Sequence, residues 1–338
     1  MVSTDSYSTS ILEIEGLKQY FPLKKEKIRQ KKQYVKAVDD ISFSVKEGTT
    51  TSIVGESGCG KSTTGRAILR LEEPTSGKIL YKNVDLTTVS RKELKKVRGE
   101  IQVIFQDPFA SLNPRRTIRK MLNEAMGIQQ VVDKEKREER MLELMSLVGL
   151  PADSLERLPH EFSGGQRQRI GIARALSVNP EVIICDEAVS ALDVSIQAQI
   201  LNLLKKLQQE LNLTYLFISH DLSVVRHISD RVIVMYLGKI VEVADKEDLF
   251  EKSLHPYTKA LLSAIPTTDF DYKQTNKFEI SGDVPSPINP PSGCRFHTRC
   301  PFATSMCTEV EPQLEKKSNG SNNHLVACHY AEDLFINE

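Results

Sequence analysis

GESGCGKS, residues 55–62, fits the pattern G-x-x-x-x-G-K-[ST], and two further elements follow it in order, SGGQ at 163–166 and VIICDE at 182–187. Phosphate oxygens carry dense negative charge, and a backbone can surround them with N–H groups only where side chains do not intrude. Gly55, Gly58 and Gly60 open such a loop, with Glu56, Ser57 and Cys59 between them. In this pattern Lys61 reaches the β- and γ-phosphates and Ser62 offers its hydroxyl to Mg²⁺, with Thr63 next to it on the same turn. The preceding run TTTSIV (49–54) is β-prone, and the following run STTGRAILRL (62–71) can begin a helix whose positive dipole end faces the anion. Strand, loop and helix stand in the order a phosphate-binding loop requires.

Residues 182–185 are an apolar run that ends in two acids, as expected of a buried parallel strand whose carboxyl end delivers charge to a site. Asp186 is the expected Mg²⁺ ligand, through water. Glu187 is the expected general base, because a carboxylate beside the metal ligand can polarise a water in line with the γ-phosphate. A paired Asp-Glu at a strand end is otherwise often a helix N-terminal charge pair; the loop at 55–62 favours catalysis. The three elements together predict an ATP-hydrolysing site.

SGGQ preceded by Phe162 and followed by RQRIGIARAL resembles the signature helix of the nucleotide-binding subunits of ABC transporters, and the resemblance runs across nearly all of the chain. It implies further roles. Gln106 in FQDP matches the glutamine of the Q-loop, a Mg²⁺ contact. Asp193 in ALD (191–193) matches the D-loop, and His220 in ISHD (218–221) the histidine that senses the γ-phosphate. Tyr20 in LKQY resembles the aromatic that stacks on adenine, with Tyr34 as the competing ring. Ser163, Gly164 and Gly165 begin a helix and so form a second anion site, with Gln166 close by. One compact subunit cannot enclose a phosphate chain with both loops, so two subunits are expected to face each other, each signature acting in trans.

The fold class that follows is α/β, a P-loop ABC cassette with a parallel-sheet core, an N-terminal antiparallel β subdomain, an inserted helical subdomain and a small Cys-rich C-terminal domain. Strand-like runs stand at 11–17, 35–45 and 49–54, and EIQVIF (100–105) leads to Gln106. MLNEAMGI (121–128) and ERMLELMSLVGL (139–150) place apolar residues at helical spacing, so their Met and Leu residues are expected to be core. The expected cassette covers residues 1–265 with its helical subdomain at about 107–160, and the extension covers 266–338. By resemblance the stretch 107–114 is a contact surface for the transporter's coupling helix. The lysine-rich KKEKIRQKK (24–32) is expected to be a solvated loop, and His227 an ordinary helix residue.

Lysine plus arginine number 45 and aspartate plus glutamate 45, a formal net charge of zero, which disfavours nucleic acid as partner. The longest apolar stretches, such as VIVMYL (232–237), fall far short of the roughly 18 residues a membrane crossing needs. The opening MVSTDSYSTS lacks an apolar signal core. A peripheral subunit on the cytoplasmic face of the membrane is expected. By resemblance its partners are two transmembrane permease subunits, a paralogous ATPase or a second copy of itself, and, indirectly, an extracytoplasmic peptide-binding protein.

Beyond HPYTKALLSAIP (255–266) the chain becomes proline-rich, and Cys294, Cys300, Cys307 and Cys328 follow with spacing C-x5-C-x6-C-x20-C. Disulfides are not expected in a cytosolic ATPase, and a polar tail with few apolar residues gains from a cross-link such as a metal centre. The C-x2-C pairs usual in zinc ribbons are absent; four thiolates can also ligate an iron–sulfur cluster, and free thiols remain an alternative. HPYTKALLSAIP, GDVPSPINPPSGCRFHTRCPFA (282–303) and the EP at 311–312 resemble the C-terminal region of dipeptide and oligopeptide importer ATPases, some of which carry a four-iron cluster. YFPLKK (20–25) and VIFQDPFASLNPR (103–115) resemble the second ATPase of the pair these systems often use. The resemblance implies a 4Fe–4S centre on the four cysteines, with zinc as the alternative and His297, His324 and His329 as reserve ligands. Cys59 and Cys185 read as packing residues. The implied function is ATP-driven uptake of dipeptides or oligopeptides. A soluble ABC-type ATPase acting on nucleic acid or ribosomes is the competing class, and it lacks support because neither a second cassette nor a long coiled-coil insertion is present.

Overall fold

The computed structural model describes residues 10–24, 32–107, 112–265, 280, 282–317 and 323–331. The lysine-rich insert at 25–31, residues 108–111 of the expected coupling surface, and 266–279 of the extension lie outside the described residues. The chain forms two compact units, one built around residues 88–218 with 45–50, the other from residues 12–44, 51–87 and 219–338.

In the first unit, strands Ile101–Ile104, Val182–Asp186 and Thr214–Ser219 run parallel, with Ile101 opposite Val182 and Asp186 opposite Ile218. Every residue of Val182–Asp186 and of Thr214–Ser219 is buried, which explains why these strands read as continuous apolar runs rather than alternating ones. Helix Arg91–Glu100 enters through a capping box in which Ser90 and Glu93 satisfy each other's backbone N–H groups. Helices Ile118–Gln129 and Arg137–Leu147 bury Met121, Leu122, Met126, Met141, Leu144 and Met145, so most Met and Leu residues at helical spacing are core, apart from the exposed Leu142 and the half-buried Leu147. Helices Gly164–Leu176 and Val194–Leu211 complete this unit.

In the second unit, strands Tyr34–Lys46, Ser10–Pro22, Ser76–Tyr81 and Val84–Asp85 lie in that order in one sheet, with antiparallel pairing of Leu12 to Tyr81 and Leu80 to Asp85. A second set begins with Thr50–Val54, parallel to Arg231–Tyr236 through Thr51 and Arg231. Arg231–Tyr236 then turns back antiparallel into Lys239–Asp245. Two short tail strands, Leu325–Val326 and Glu315–Lys316, extend this edge, also antiparallel. The sheet material is therefore mixed rather than purely parallel. Parallel neighbours occur where a helix supplies the crossover, and antiparallel ones where a tight turn at Leu237 and Gly238, both at positive φ, reverses the chain.

The expected small Cys-rich domain does not stand apart as a unit of its own: the described residues 282–317 and 323–331 fall within the second unit. Phe296, 1% exposed, stacks edge-on against Tyr236 at 5.3 Å between centroids and lies 5.4 Å from Tyr257. Buried Arg295 pairs with Asp39 and donates to the carbonyl of Leu237. Glu242, fully buried, accepts from the N–H groups of Leu254 (2.6 Å) and His255 (3.1 Å) and contacts His324 Nε2 at 2.7 Å. A buried carboxylate with three partners ties the tail to the sheet, and this polar, aromatic anchoring replaces the separate core that so short a segment could not build.

Candidate functional site

The loop after strand Thr50–Val54 is shaped by backbone constraint. Gly55 has φ +150° and Gly60 φ +107°, and a Cβ at Gly55 would stand 2.1 Å from the carbonyl oxygen of Met235, one at Gly60 2.1 Å from that of Ala37. No L-residue fits either place without rebuilding the loop. Gly60 caps helix Lys61–Ile68, which begins with the N–H groups of its first turn directed back toward the loop. The Lys61 side chain is 3% exposed and its ammonium donates to the carbonyls of Gly55 (2.7 Å) and Glu56 (2.9 Å), and lies 3.7 Å from Cys59 Sγ. The lysine thus lies folded along the loop whose phosphates it is expected to meet. Thr64 Oγ1 donates to Gly60 at 3.0 Å and fixes the first turn; Ser62 and Thr63, half-buried, flank it. Burial raises the Cys59 thiol, in keeping with a packing role.

In the same unit, Tyr20 donates its hydroxyl to Asp39, the carboxylate that also pairs with Arg295, and Lys36 stands 5.9 Å from its ring. Burial and the Asp39 carboxylate both raise the Tyr20 phenol, so it stays protonated. Tyr34 is the more open ring, 37% exposed, with Lys32 over it at 5.3 Å. His220 is exposed directly after strand Thr214–Ser219, and Asp221 beside it caps helix Leu222–Ile228 by accepting from Ser223 at 2.8 Å. His227, in the last turn of that helix, faces solvent.

In the first unit, the paired acids end strand Val182–Asp186. Asp186 is buried, 8% exposed. Glu187 takes the left-handed conformation, φ +49°, rare for a side chain of its type and a form of stored strain that clusters at working sites. Its N–H donates to the carbonyl of Ile218 (3.0 Å), and its own carbonyl accepts from the N–H (3.1 Å) and hydroxyl (3.0 Å) of Ser190. Its carboxylate accepts from Gln106 Nε2 at 3.0 Å. The sequence therefore names two residues 81 apart that the fold joins by a hydrogen bond.

The signature begins helix Gly164–Leu176 with a reciprocal cap: Ser163 N–H donates to Gln166 Oε1 (3.0 Å) and Gln166 N–H to Ser163 Oγ (3.4 Å). Ser163 and Gly164 are exposed. A Cβ on Gly165 would approach Ile196 Cγ2 to 2.6 Å, so close packing on helix Val194–Leu211 requires this glycine. Asp193 heads that helix, exposed, beside Val194 at 82% exposure, and Gln197 holds the preceding turn by donating to Val189 and Leu192 carbonyls, both at 3.0 Å.

The four tail cysteines are free and line one small cavity together with Phe296, Phe302, Pro256 and Pro312. Burial pushes the Cys294 thiol up to about 12 and that of Cys328 to about 11, and the neighbouring cysteine sulfurs push the same way. Among the described residues, no three His, Cys, Asp or Glu groups are arranged to hold a metal ion. The cysteines gather as expected, but they do not form a metal site as they stand. Of the reserve histidines, His324 is committed to Glu242 and His329 to the carbonyl of Val310.

Sequence reasoning missed the groups that hold the P-loop from outside. Glu56 donates its N–H to the Tyr257 hydroxyl at 2.8 Å, and its carboxylate accepts two bonds from Arg299, at 2.8 and 3.1 Å. In the sequence, the HPYTKALLSAIP string that carries Tyr257 and the 282–303 stretch that carries Arg299 signalled this region by resemblance, and neither pointed to Glu56.

Residues 38–190 match the family described as ABC transporter, and residues 241–307 the one described as oligopeptide/dipeptide transporter, C-terminal region. The oligopeptide transport ATP-binding protein AppF of Bacillus subtilis is 54% identical over 96% of this chain and 99% of its own length. The dipeptide transport ATP-binding protein DppF of Haemophilus influenzae is 48% identical over 96% of this chain and 98% of its own. Among solved structures, the dimeric ATP-binding cassette MJ0796 bound to ADP and phosphate is 30% identical, with a TM-score of 0.60, over 70% of this chain and 98% of that one. No helix among the described residues is long and apolar enough to cross a membrane. On the identity and coverage of these relatives, the chain belongs to the ABC transporter family, as an ATP-binding subunit of the oligopeptide/dipeptide type.

Proposed function

We propose that this ATPase powers uptake of dipeptides or oligopeptides through two separate membrane permeases, lying peripherally on the cytoplasmic face, and that it works as a dimer with a paralogous ATPase or with a second copy of itself. An extracytoplasmic binding protein would deliver the peptide to the permeases. Residues 1–265 serve as the cassette, with residues 107–160 as its helical subdomain and 107–114 as the permease contact; 266–338 form the family-specific extension.

In this reading the P-loop, residues 55–63, holds the phosphates of ATP through its N–H groups and Lys61, and Tyr20 serves the adenine. The Ser62 hydroxyl, Gln106 and, through water, Asp186 would hold Mg²⁺, which would supply positive charge against the phosphates. Glu187 accepts the proton of the attacking water. Gln106, a neutral amide on that carboxylate, orients it without supplying a cation that would weaken it as a base. His220 senses the γ-phosphate. Ser163, Gly164, Gly165 and Gln166 serve the nucleotide of the partner subunit across the dimer, with Asp193 at the same seam. ATP then favours closure, and loss of the γ-phosphate removes the contacts that favoured it.

The observation that carries this reading is the 3.0 Å bond from Gln106 to Glu187, with Glu187 held in a strained left-handed conformation at the end of a buried strand. Replacement Glu187→Gln keeps shape and removes basicity. Hydrolysis is expected to fall about 10²- to 10⁴-fold, while ATP binding and ATP-dependent dimerisation persist. Turnover at the wild-type rate in this variant removes Glu187 from the chemistry.

For the cysteine cavity the proposed occupant is a 4Fe–4S cluster on Cys294, Cys300, Cys307 and Cys328. The donor set supports this reading: four sulfurs, none in a disulfide, share one cavity with apolar walls. When bound, such a cluster cross-links four points of the chain and displaces the thiol protons. Anaerobically purified protein is expected to be brown with iron and sulfide near four per chain. Colourless protein with equimolar zinc assigns the site to zinc, and metal-free protein leaves it to free thiols.

A further inference from the structure

The turn that carries Cys294 and Cys300 also carries Arg299. Within it the N–H of His297 donates to the carbonyl of Cys294 (3.0 Å), that of Arg299 to Phe296 (2.9 Å) and that of Cys300 to His297 (3.4 Å), so the turn is a hydrogen-bonded unit. Phe296 fastens it to Tyr236 and Tyr257, which are themselves edge-to-face at 4.8 Å. From this turn the Arg299 side chain, 9% exposed, reaches Glu56 of the P-loop, 27% exposed, with a two-pronged pair at 2.8 and 3.1 Å. The same guanidinium stands 3.4 Å from the Tyr236 hydroxyl. Its Nε–H is buried without an acceptor, so the fork on Glu56 is its principal anchor.

Planar guanidinium and carboxylate groups in this geometry fix orientation as well as distance, which a flexible ammonium does not. Glu56 lies between Gly55, whose φ admits no side chain, and the residues whose N–H groups form the cradle. Its N–H is meanwhile taken by Tyr257. A displacement of the cysteine turn therefore reaches the P-loop at Glu56, through the Arg299 fork on its carboxylate and through Phe296 and Tyr257 on its N–H.

We propose that Arg299 is a positioning residue that couples the four-cysteine turn to the P-loop, so that the state of the cysteine cavity sets the affinity for nucleotide. The inference rests on the P-loop as the ATP site. It adds a link between that site and a cavity lined by other residues.

The test measures the Kd of a fluorescent ATP analogue, together with KM and kcat for hydrolysis, in the full chain. Arg299→Ala and Glu56→Gln are each expected to raise Kd and KM about 5- to 50-fold, the range for a lost charge-assisted pair, with kcat little changed. The double variant is expected to be no worse than either single one, and Arg299→Lys to recover part of the loss. Cys307→Ser alters a cavity residue on a different segment from Arg299. It is expected to shift Kd in the Arg299 protein and to shift it clearly less in the Arg299→Ala background, where only the path through Phe296 and Tyr257 is left among those described. Thermal melting confirms folding, and if Arg299→Ala fails to fold, Glu56→Gln, which leaves the aromatic turn untouched, carries the comparison. Unchanged Kd in both single variants overturns the proposal, as does an equal effect of Cys307→Ser in both backgrounds. A wild-type chain that binds no analogue overturns the P-loop reading instead.

Discussion

The P-loop and the signature both start a helix with glycines, and both are expected to face phosphate, yet the fold builds them in opposite ways. Around Gly55 and Gly60 the backbone is bent into positive φ, pressed against the carbonyls of Met235 and Ala37, and filled by a buried lysine. At Ser163 and Gly164 the chain is an ordinary helix start with a reciprocal Ser-Gln cap, exposed and free of positive φ. The first loop is preorganised from within its own chain. The second is braced by the packing of Gly165 on Ile196, and none of its residues 163–166 is buried. A helix N-terminus left open in this way has its anion affinity available to a second surface, which is the physical case for a signature that acts in trans.

The sharpest way to break the contrast is Gly60→Ala. The added methyl would overlap the Ala37 carbonyl, and φ +107° is closed to alanine, so the loop must reshape. Displacing even two of the charge-assisted N–H contacts costs roughly 3 kcal/mol, so ATP affinity should fall about 100-fold, as measured by nucleotide titration. Lys61→Ala should match it by removing the phosphate cation. Wild-type affinity in Gly60→Ala would mean that the loop owes its shape to something other than this glycine.

Gly165→Ala probes the other loop with a smaller effect. Its Cβ would meet the Cγ2 branch methyl of Ile196 at 2.6 Å, so the expected cost is about 1–3 kcal/mol of stability from overpacking, read by denaturant unfolding. Ile196→Ala in the same chain should restore most of it. Gly164, whose Cβ would stand 3.5 Å from Leu192, an ordinary contact, should tolerate alanine without loss of stability. If Gly164→Ala nevertheless abolishes ATP-dependent dimerisation, the open face of that turn serves a partner and not the fold.

The same two loops mark what the sequence made legible. Strand, glycine loop and helix are contiguous, and their chemistry depends on residue types at fixed short spacing, so the P-loop, the strand-end acids and the signature helix could be read directly. Gln106, by resemblance, and Glu187, by its place at a strand end, were both named, but the hydrogen bond that joins them was not foreseen. Arg299 on Glu56, across 243 positions, left no trace, because a single polar pair has neither periodicity nor composition to betray it. The tail failed for a related reason. Its two strands are two residues each, too short for any alternation to register, and they exist because Glu242 and the aromatic cluster hold them on the sheet edge. The clustered cysteines and the shortage of apolar residues suggested a small cross-linked domain, whereas the anchoring is long-range.

Ser163→Ala gives the smallest effect and separates two roles of one side chain. As a helix cap its hydroxyl satisfies the Gln166 N–H over a rather long 3.4 Å, while Gln166 returns the bond to the Ser163 N–H, which needs no hydroxyl. Removing the oxygen should therefore cost about 1 kcal/mol or less, in the lower part of the range for lost N-caps, read as a shift of the denaturation midpoint. If capping is its whole purpose, ATP-dependent dimerisation at temperatures well below melting should not change, because a fully folded helix presents the same Gly164 and Gly165 N–H groups. If the hydroxyl also meets the partner's nucleotide, the dimer weakens by more than the cap explains, and the gap between the two measurements is the contribution made across the subunits. A loss in stability alone would return Ser163 to the fold and leave the anion site to the backbone of the two glycines.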